Sequence, residues 1–322
     1  MMTLINRRGL LAGMGAAGVV AATPAWAGPA RKTPFFKRIG KSIGLQLYTM
    51  GDAPQKDLPG TLARLAKIGY REIELPGFYG RSAKDLRAVA DKAGVRFTCT
   101  HLGLPGPFAQ PGLNLMSPVN ELADALHTLG IRQAVLPMPL LPADFKPTPG
   151  GDFRTILTQA LQAAGPDNWK RQAALLNERA AALKPLGIDL GYHNHNMEFA
   201  PIGNTTGWDV LLAELDPKLV FIELDLGWVT AAGRDAATEL GKLKGRVRMV
   251  HMKDVKPSTQ TNFSLMQDPT EVGSGKLDWK RILPATVAAG VRNYYVEQEP
   301  PFEMDRFDAV KKSHDFLSRF VA

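Results

Sequence analysis

The chain has a single cysteine, Cys99, so it can form no internal disulfide and any fold it adopts is held by its core. Beyond Trp26 it has no run of the roughly 18 uninterrupted apolar residues that a membrane-spanning helix needs. No strand-like segment is followed by G-x-G-x-x-G, so the dinucleotide-binding turn of a doubly wound open sheet is missing. Charge of one sign is not concentrated either. The 39 Lys and Arg face 31 Asp and Glu, a surplus of +8, and the basic residues are scattered over amphipathic stretches instead of forming a stripe with aromatics between them. Nucleic acid is therefore not an expected partner.

What is present begins with a leader-like segment. Arg7 and Arg8 precede an almost uncharged run from Gly9 to Trp26, closed by Ala25-Trp26-Ala27. A charged start, a short Gly- and Ala-rich apolar stretch and an A-x-A-like end form an export signal, and the adjacent arginines point to the twin-arginine route. Residues 1–27 are expected to be the signal peptide. Residues 28–322 are expected to form one soluble domain, periplasmic or exported, without stable membrane insertion after cleavage.

From there to the end one phrase recurs: an amphipathic stretch, a Gly, one or two residues, then a short apolar run. It occurs at Gly69 before Glu72 to Leu75, Gly94 before Phe97 to Thr100, and Gly130 before Ala134 to Leu136. It returns at Gly187 before Leu190 to Tyr192, Gly245 before Val247 to Val250, and Gly290 before Tyr294 to Val296. Gly suits the left-handed residue that ends a helix, and the apolar run after it suits a strand buried on both faces. Ile43 to Tyr48 and Leu219 to Leu224 bring the strands to eight. Helical spacing of apolar residues marks Leu58 to Lys67, Ala83 to Ala93, Val119 to Leu129 and Trp169 to Leu186. Eight strands alternating with helices predict an α/β fold, a single-domain (β/α)8 TIM barrel. The irregular stretches 102–118, 137–152 and 256–275 follow strands and are expected to overhang its mouth.

Barrel chemistry sits at the C-terminal ends of strands, and the unusual residues of this sequence collect there. Strand 3 ends at His101, strand 5 at His193-Asn194-His195 and strand 6 at Glu223-Leu224-Asp225. Strand 7 ends at His251-Met252-Lys253 and strand 8 at Glu297-Gln298-Glu299. Of six histidines, only His127 and His314 fall on helices, where surface or packing roles suffice. Residues two apart share a strand face, so these pairs can converge in the mouth. Several buried carboxylates beside a lysine are costly unless something offsets their charge. A divalent cation would do so, and the mixed O and N donors of Asp225, His251 and Glu297 suit manganese, cobalt, magnesium or zinc. The alternative is an ion-pair network closing the barrel.

At these residues the chain resembles the sugar isomerases and epimerases of the xylose-isomerase-like barrel superfamily. The likeness runs from Gly44-Leu45-Gln46-Leu47-Tyr48 through Tyr192-His193-Asn194-His195 with Glu198-Phe199, Glu223 to Trp228 and His251-Met252-Lys253-Asp254. It continues through Gly273-Ser274-Gly275 with Asp278-Trp279 to Tyr295-Val296-Glu297-Gln298-Glu299. The resemblance implies a divalent metal, Mn2+ in the first place with Co2+, Mg2+ or Zn2+ as alternatives, on Asp225, His251 and Glu297. The family's strand 5 glutamate is replaced here, which leaves His193 or Glu198 as the fourth ligand. Trp228 stands in place of a usual histidine, and Pro257 in place of a frequent arginine.

The reaction expected is removal of a proton from the carbon next to a sugar carbonyl, through an enediolate, with return of the proton elsewhere: a metal-dependent isomerase or epimerase. Glu297 or Glu299 would be the base, His195 its counterpart, and Lys253 would stabilise negative charge or carry a proton. Tyr48, His101 and Trp228, with Phe78 and Tyr79, would contact the sugar. The alternatives are a lyase performing β-elimination on a 3-keto-glycoside and a periplasmic sugar-binding protein without turnover. The sequence does not name the sugar.

Overall fold

The computed structural model describes residues 33–106, 109–146 and 150–322; the expected signal segment, 1–27, lies outside the described residues. Eight strands form the barrel, at Gly44–Gln46 (β1), Glu72–Leu75 (β2), Arg96–His101 (β3), Gln133–Leu136 (β4), Asp189–His193 (β5), Val220–Asp225 (β6), Val247–Met252 (β7) and Asn293–Val296 (β8). Each pairs in parallel with its sequence neighbours, and β1 also pairs with β8 to close the barrel. Six of the eight are the strands expected from the repeat, and β1 and β6 are the two added to it. The repeat's glycines end helices as anticipated: Gly94 and Gly130 take φ of 68° and 77° and donate their N–H groups to the last-turn carbonyls of Ala90 and Asp91, and of Leu126 and His127. No described helix is long and apolar enough to cross a membrane.

Most of the apolar core lies between the strands and the outer helices. A second, smaller cluster of Cys99, Val135, Phe221, Met249 and Tyr295 fills the barrel interior. Its two large rings fit because neighbouring strands carry no side chain there. A Cβ on Gly191 would stand 2.4 Å from the Phe221 ring, and one on Gly44 2.6 Å from the Tyr295 ring. Two residues further along the same strands the inward positions become polar: His101 follows Cys99, Glu223 follows Phe221, His251 follows Met249 and Glu297 follows Tyr295. The apolar plug is thus the floor on which the polar layer stands.

Three features differ from expectation. β1 stops at Gln46 instead of Tyr48, because Leu47–Met50 turns into a 3-10 helix whose first turn is capped by the Gln46 side chain, accepting from the Tyr48 N–H at 3.1 Å. The helix expected over Trp169 to Leu186 starts much earlier and runs over Phe153–Leu183, kinked where Gly165 (φ 65°, ψ −163°) precedes Pro166. Gly-Pro reads as a stop, yet here it bends the chain so that Asn168 and Gln172 secure the backbone of Leu140. The stretch 256–275 is not wholly irregular: Asp254–Val255 and Pro269–Thr270 form a short antiparallel ribbon, anchored by Asp254, which accepts from the Gly273 N–H and the Trp279 indole.

Candidate functional site

The mouth residues form two tiers. In the upper tier Asp225 ends β6, and its Oδ1 caps the helix Leu226–Ala231 by accepting the Trp228 N–H at 2.7 Å. Its own N–H is donated to Asn194 Oδ1 at 3.0 Å. The cap holds the carboxylate so that Oδ2 faces the barrel axis, without a hydrogen bond although Lys253 Nζ stands 3.0 Å away. His251 Nδ1 lies 2.8 Å from Glu297 Oε2 and 3.7 Å from Asp225 Oδ2, and His193 Nε2 lies 3.9 Å from that same oxygen. One donor atom from each of His193, Asp225, His251 and Glu297 falls within 4.8 Å of all the others.

The lower tier contains two carboxylates, Glu223, which the sequence reading placed in the mouth beside Asp225 without assigning it a role, and Glu74, which it missed. Glu223 Oε2 lies 3.2 Å from His101 Nε2, 3.2 Å from His193 Nδ1 and 3.4 Å from His251 Nε2. Glu74 Oε2 lies 2.6 Å from His251 Nε2 and accepts from Gln46 Nε2 at 2.9 Å. Both glutamates are fully buried. The strand pairing shifts register beside each of them, between Ile73 and Glu74 and between Ile222 and Glu223, and such bulges re-aim side chains. The available signal was the Glu-x-Glu and Glu-x-Asp spacing at the ends of β2 and β6. His101 belongs to this lower tier, pointing at Glu223 and Glu74.

Lys253 is fully buried, with its Nζ 3.0 Å from Asp225 Oδ2, 2.8 Å from Glu297 Oε2 and 3.1 Å from Glu299 Oε1. Its stem fits because Gly227 has no side chain; a Cβ there would stand 2.7 Å from Lys253 Cγ. Burial alone would lower the Lys253 pKa, but Asp225, Glu297 and Glu299 together hold it well above the usual range. The His251 imidazole is likewise held high, against burial, by Glu223, Glu297 and Glu74. Burial and the neighbouring His251 push His193 down to about 3. His195 is driven well below its ordinary value by burial, His193 and Lys253. Asp225 is pushed up to about 6, burial outweighing the attraction of Lys253.

The remaining expected residues divide. Trp228 lies over Lys253, with Nζ 4.8 Å from the ring centroid, and beside His195 at 5.6 Å between centroids. Tyr48 is 47% exposed at the rim, its pKa pushed up to about 12, chiefly by Glu299 and then by burial. Glu198 is not among the grouped donors: its oxygens accept from the Tyr192 hydroxyl at 2.6 Å and the His195 N–H at 3.0 Å. Of the two candidates for a strand 5 ligand, His193 is the one brought to the cluster. His127 is exposed on its helix, and His314 packs edge-on against Tyr70.

A model of the xylose isomerase-like TIM barrel family matches residues 62–320. The chain belongs to this family. A curated relative named inosose dehydratase, from Geobacillus thermodenitrificans, is 30% identical over 173 residues, 48% of this chain and 55% of the relative. Another of the same name, from Geobacillus kaustophilus, is 23% identical over 222 residues, 65% of this chain and 70% of the relative. The chain spans about half the length of the first of these relatives. Among solved structures, a sugar phosphate isomerase/epimerase from Parabacteroides distasonis superposes with a TM-score of 0.66 at 24% identity, over 87% of this chain and 94% of that one, a likeness of fold.

Members of a metal-using barrel family invite the question of whether these side chains fit a cation. They do. Buried Asp225 Oδ2, Glu223 Oε1 and Glu74 Oε1 have no hydrogen-bond partner, and the upper tier offers two carboxylate oxygens and two imidazole nitrogens converging from β5, β6, β7 and β8. That mixture suits a divalent cation.

Proposed function

We propose that this protein is a divalent-metal enzyme that removes the proton next to a carbonyl of a polyhydroxylated substrate, and that the enediolate then expels a β-substituent. The observation that carries the proposal is the placing of four unlike donors beside a buried lysine and a buried histidine whose Nδ1 has no partner. His193, Asp225, His251 and Glu297 would hold the cation, with Mn2+ the first expectation. When bound, it supplies polarisation of a carbonyl and its neighbouring hydroxyl.

The protein's own groups do the rest. His195, kept neutral by burial and by the charge of Lys253, takes the carbon-bound proton, and the electron pair moves onto the carbonyl oxygen. Lys253 stabilises that developing charge from a water-excluded position. Glu297 lies among the donors, so the carboxyl left for the second proton transfer is Glu299, which is paired with Lys253. The Lys253–Glu299 pair delivers a proton to the departing oxygen as the β C–O bond breaks. Trp228 and Tyr48 flank this space and offer faces to the ring of a sugar or cyclitol.

Elimination is favoured over return of the proton because the curated relatives carry the name inosose dehydratase, loss of water from a cyclic keto-polyol. Isomerisation or epimerisation shares the first half of this chemistry and differs only in where the proton goes. Incubating the metal-loaded protein in D2O with an inosose and with a 3-keto-glycoside, followed by NMR, tests the proposal. Loss of the hydrogen beside the carbonyl together with release of water or aglycone is expected, and with the inosose, ketonisation of the resulting enol places deuterium on the carbon that lost its hydroxyl. Exchange that ends in an epimer would move the enzyme to the isomerase side, and the absence of both exchange and elimination with any keto-sugar would leave a binding protein. We also propose that the enzyme works outside the cytoplasm, as the paired arginines and apolar run of residues 7–26 suggest.

A further inference from the structure

His193 and His251 each turn their two ring nitrogens to opposite tiers. His251 Nδ1 faces Glu297 Oε2 at 2.8 Å and Asp225 Oδ2 at 3.7 Å, while its Nε2 faces Glu74 Oε2 at 2.6 Å and Glu223 Oε2 at 3.4 Å. His193 Nε2 faces Asp225 Oδ2 at 3.9 Å, while its Nδ1 faces Glu223 Oε2 at 3.2 Å. All the side chains involved are buried. An imidazole that gives a lone pair through one nitrogen carries its proton on the other, and a carboxylate at that second nitrogen fixes both the tautomer and the ring plane.

We infer that Glu223 and Glu74 are positioning residues for the metal centre: Glu223 holds the Nδ1 proton of His193, Glu74 holds the Nε2 proton of His251, and so Nε2 of His193 and Nδ1 of His251 are presented to the cation. The inference rests on the metal reading above and extends it to the tier beneath. Neither glutamate contributes an oxygen to the upper group of donors. Each is fixed on its own side: Gln46 Nε2 donates to Glu74 Oε2 at 2.9 Å, and His101 Nε2 shares Glu223 Oε2 at 3.2 Å.

One other arrangement uses the same side chains. His101, His193, Glu223 and His251 also bring one donor each within 4.8 Å, and a cation there would engage the opposite nitrogens, Nδ1 of His193 and Nε2 of His251. The two arrangements are told apart by which nitrogens are ligated, whatever the activity. The test is long-range 1H–15N correlation NMR on full-length protein labelled with 15N-histidine and loaded with 113Cd2+, paired with calorimetric titration of Mn2+ into the wild type, Glu223→Gln and Glu74→Gln. Cadmium couplings to Nε2 of His193 and Nδ1 of His251 are expected, with Mn2+ affinity lowered about 10- to 100-fold in each variant. Couplings to His193 Nδ1 or His251 Nε2 would overturn the inference and move the cation to the lower group, and unchanged affinity in both variants would overturn the inference while leaving the metal reading standing. Absence of metal from the wild type would overturn both. The wild-type spectrum decides the matter even if a variant fails to fold.

Discussion

Glu198 illustrates how a single side chain can serve the site without facing it. Its carboxyl accepts from Tyr192 and from the His195 backbone, and burial pushes its pKa up to about 7 from an ordinary value of 4.5. Between those two values the folded chain binds a proton that the unfolded chain has released, so stability falls as pH rises through the window. Replacing Glu198 with Gln keeps the shape and removes the titration. Thermal midpoints measured from pH 4.5 to 8 should decline in the wild type relative to Glu198→Gln, by the equivalent of about 3 kcal/mol across the window. Parallel curves would show that this carboxyl is not held protonated. Glu198 became a candidate ligand because the family's strand 5 glutamate is replaced by His193 here and Glu198 is a carboxylate that could reach back. The sequence could not show that the 3-10 turn Met197–Phe199 directs its oxygens to Tyr192. His193, Asp225, His251, Lys253 and Glu297 were legible because period-two alternation at a strand end fixes the face. Glu74 was not, since the register shift beside it is a property of strand pairing.

At the scale of elements, the alternation of helix, glycine and apolar run marked six of the eight barrel strands and the apolar run alone marked the other two, because a strand buried on both faces leaves a continuous apolar signature. Boundaries were less legible where a side chain competes with the ladder, as Gln46 does at the end of β1, and where a Gly-Pro pair bends a helix without ending it. Complementarity across the interior is another feature that one strand cannot reveal. Gly191 on β5 and Phe221 on β6 are paired in register, and the glycine is required by the ring opposite. Gly191→Ala is therefore expected to lower stability by about 1 to 3 kcal/mol through overpacking, and the double variant with Phe221→Leu to recover part of that loss. Denaturant midpoints of the two variants check this. A neutral Gly191→Ala would mean that the plug beneath the site is loosely packed, and with it the footing of His193 two residues on.

For the whole molecule, closing the barrel brings the ends of β5, β6, β7 and β8 to one mouth although they are separated by up to about a hundred residues of chain, and this is why a sequence of scattered His-x-His, Glu-x-Asp, His-x-Lys and Glu-x-Glu pairs reads as one centre. The substrate stays outside what the sequence can name, because the rim that would select it is built from irregular loops with no periodic constraint. The export reading concerns residues 7–26 alone: Arg7→Lys with Arg8→Lys should retain the folded protein in the cytoplasm, and fractionation showing normal export of that variant would remove the twin-arginine route. The most direct measurement for the metal centre is calorimetric titration of Mn2+ into chelator-treated wild-type protein and into Glu297→Gln. One ion per chain in the wild type, with binding weakened by about two orders of magnitude or lost in the variant, is the expected result. No binding in the wild type would contradict a cation held by His193, Asp225, His251 and Glu297 and leave the mouth as an ion-pair network around Lys253, while equal binding in both proteins would mean a cation held without Glu297.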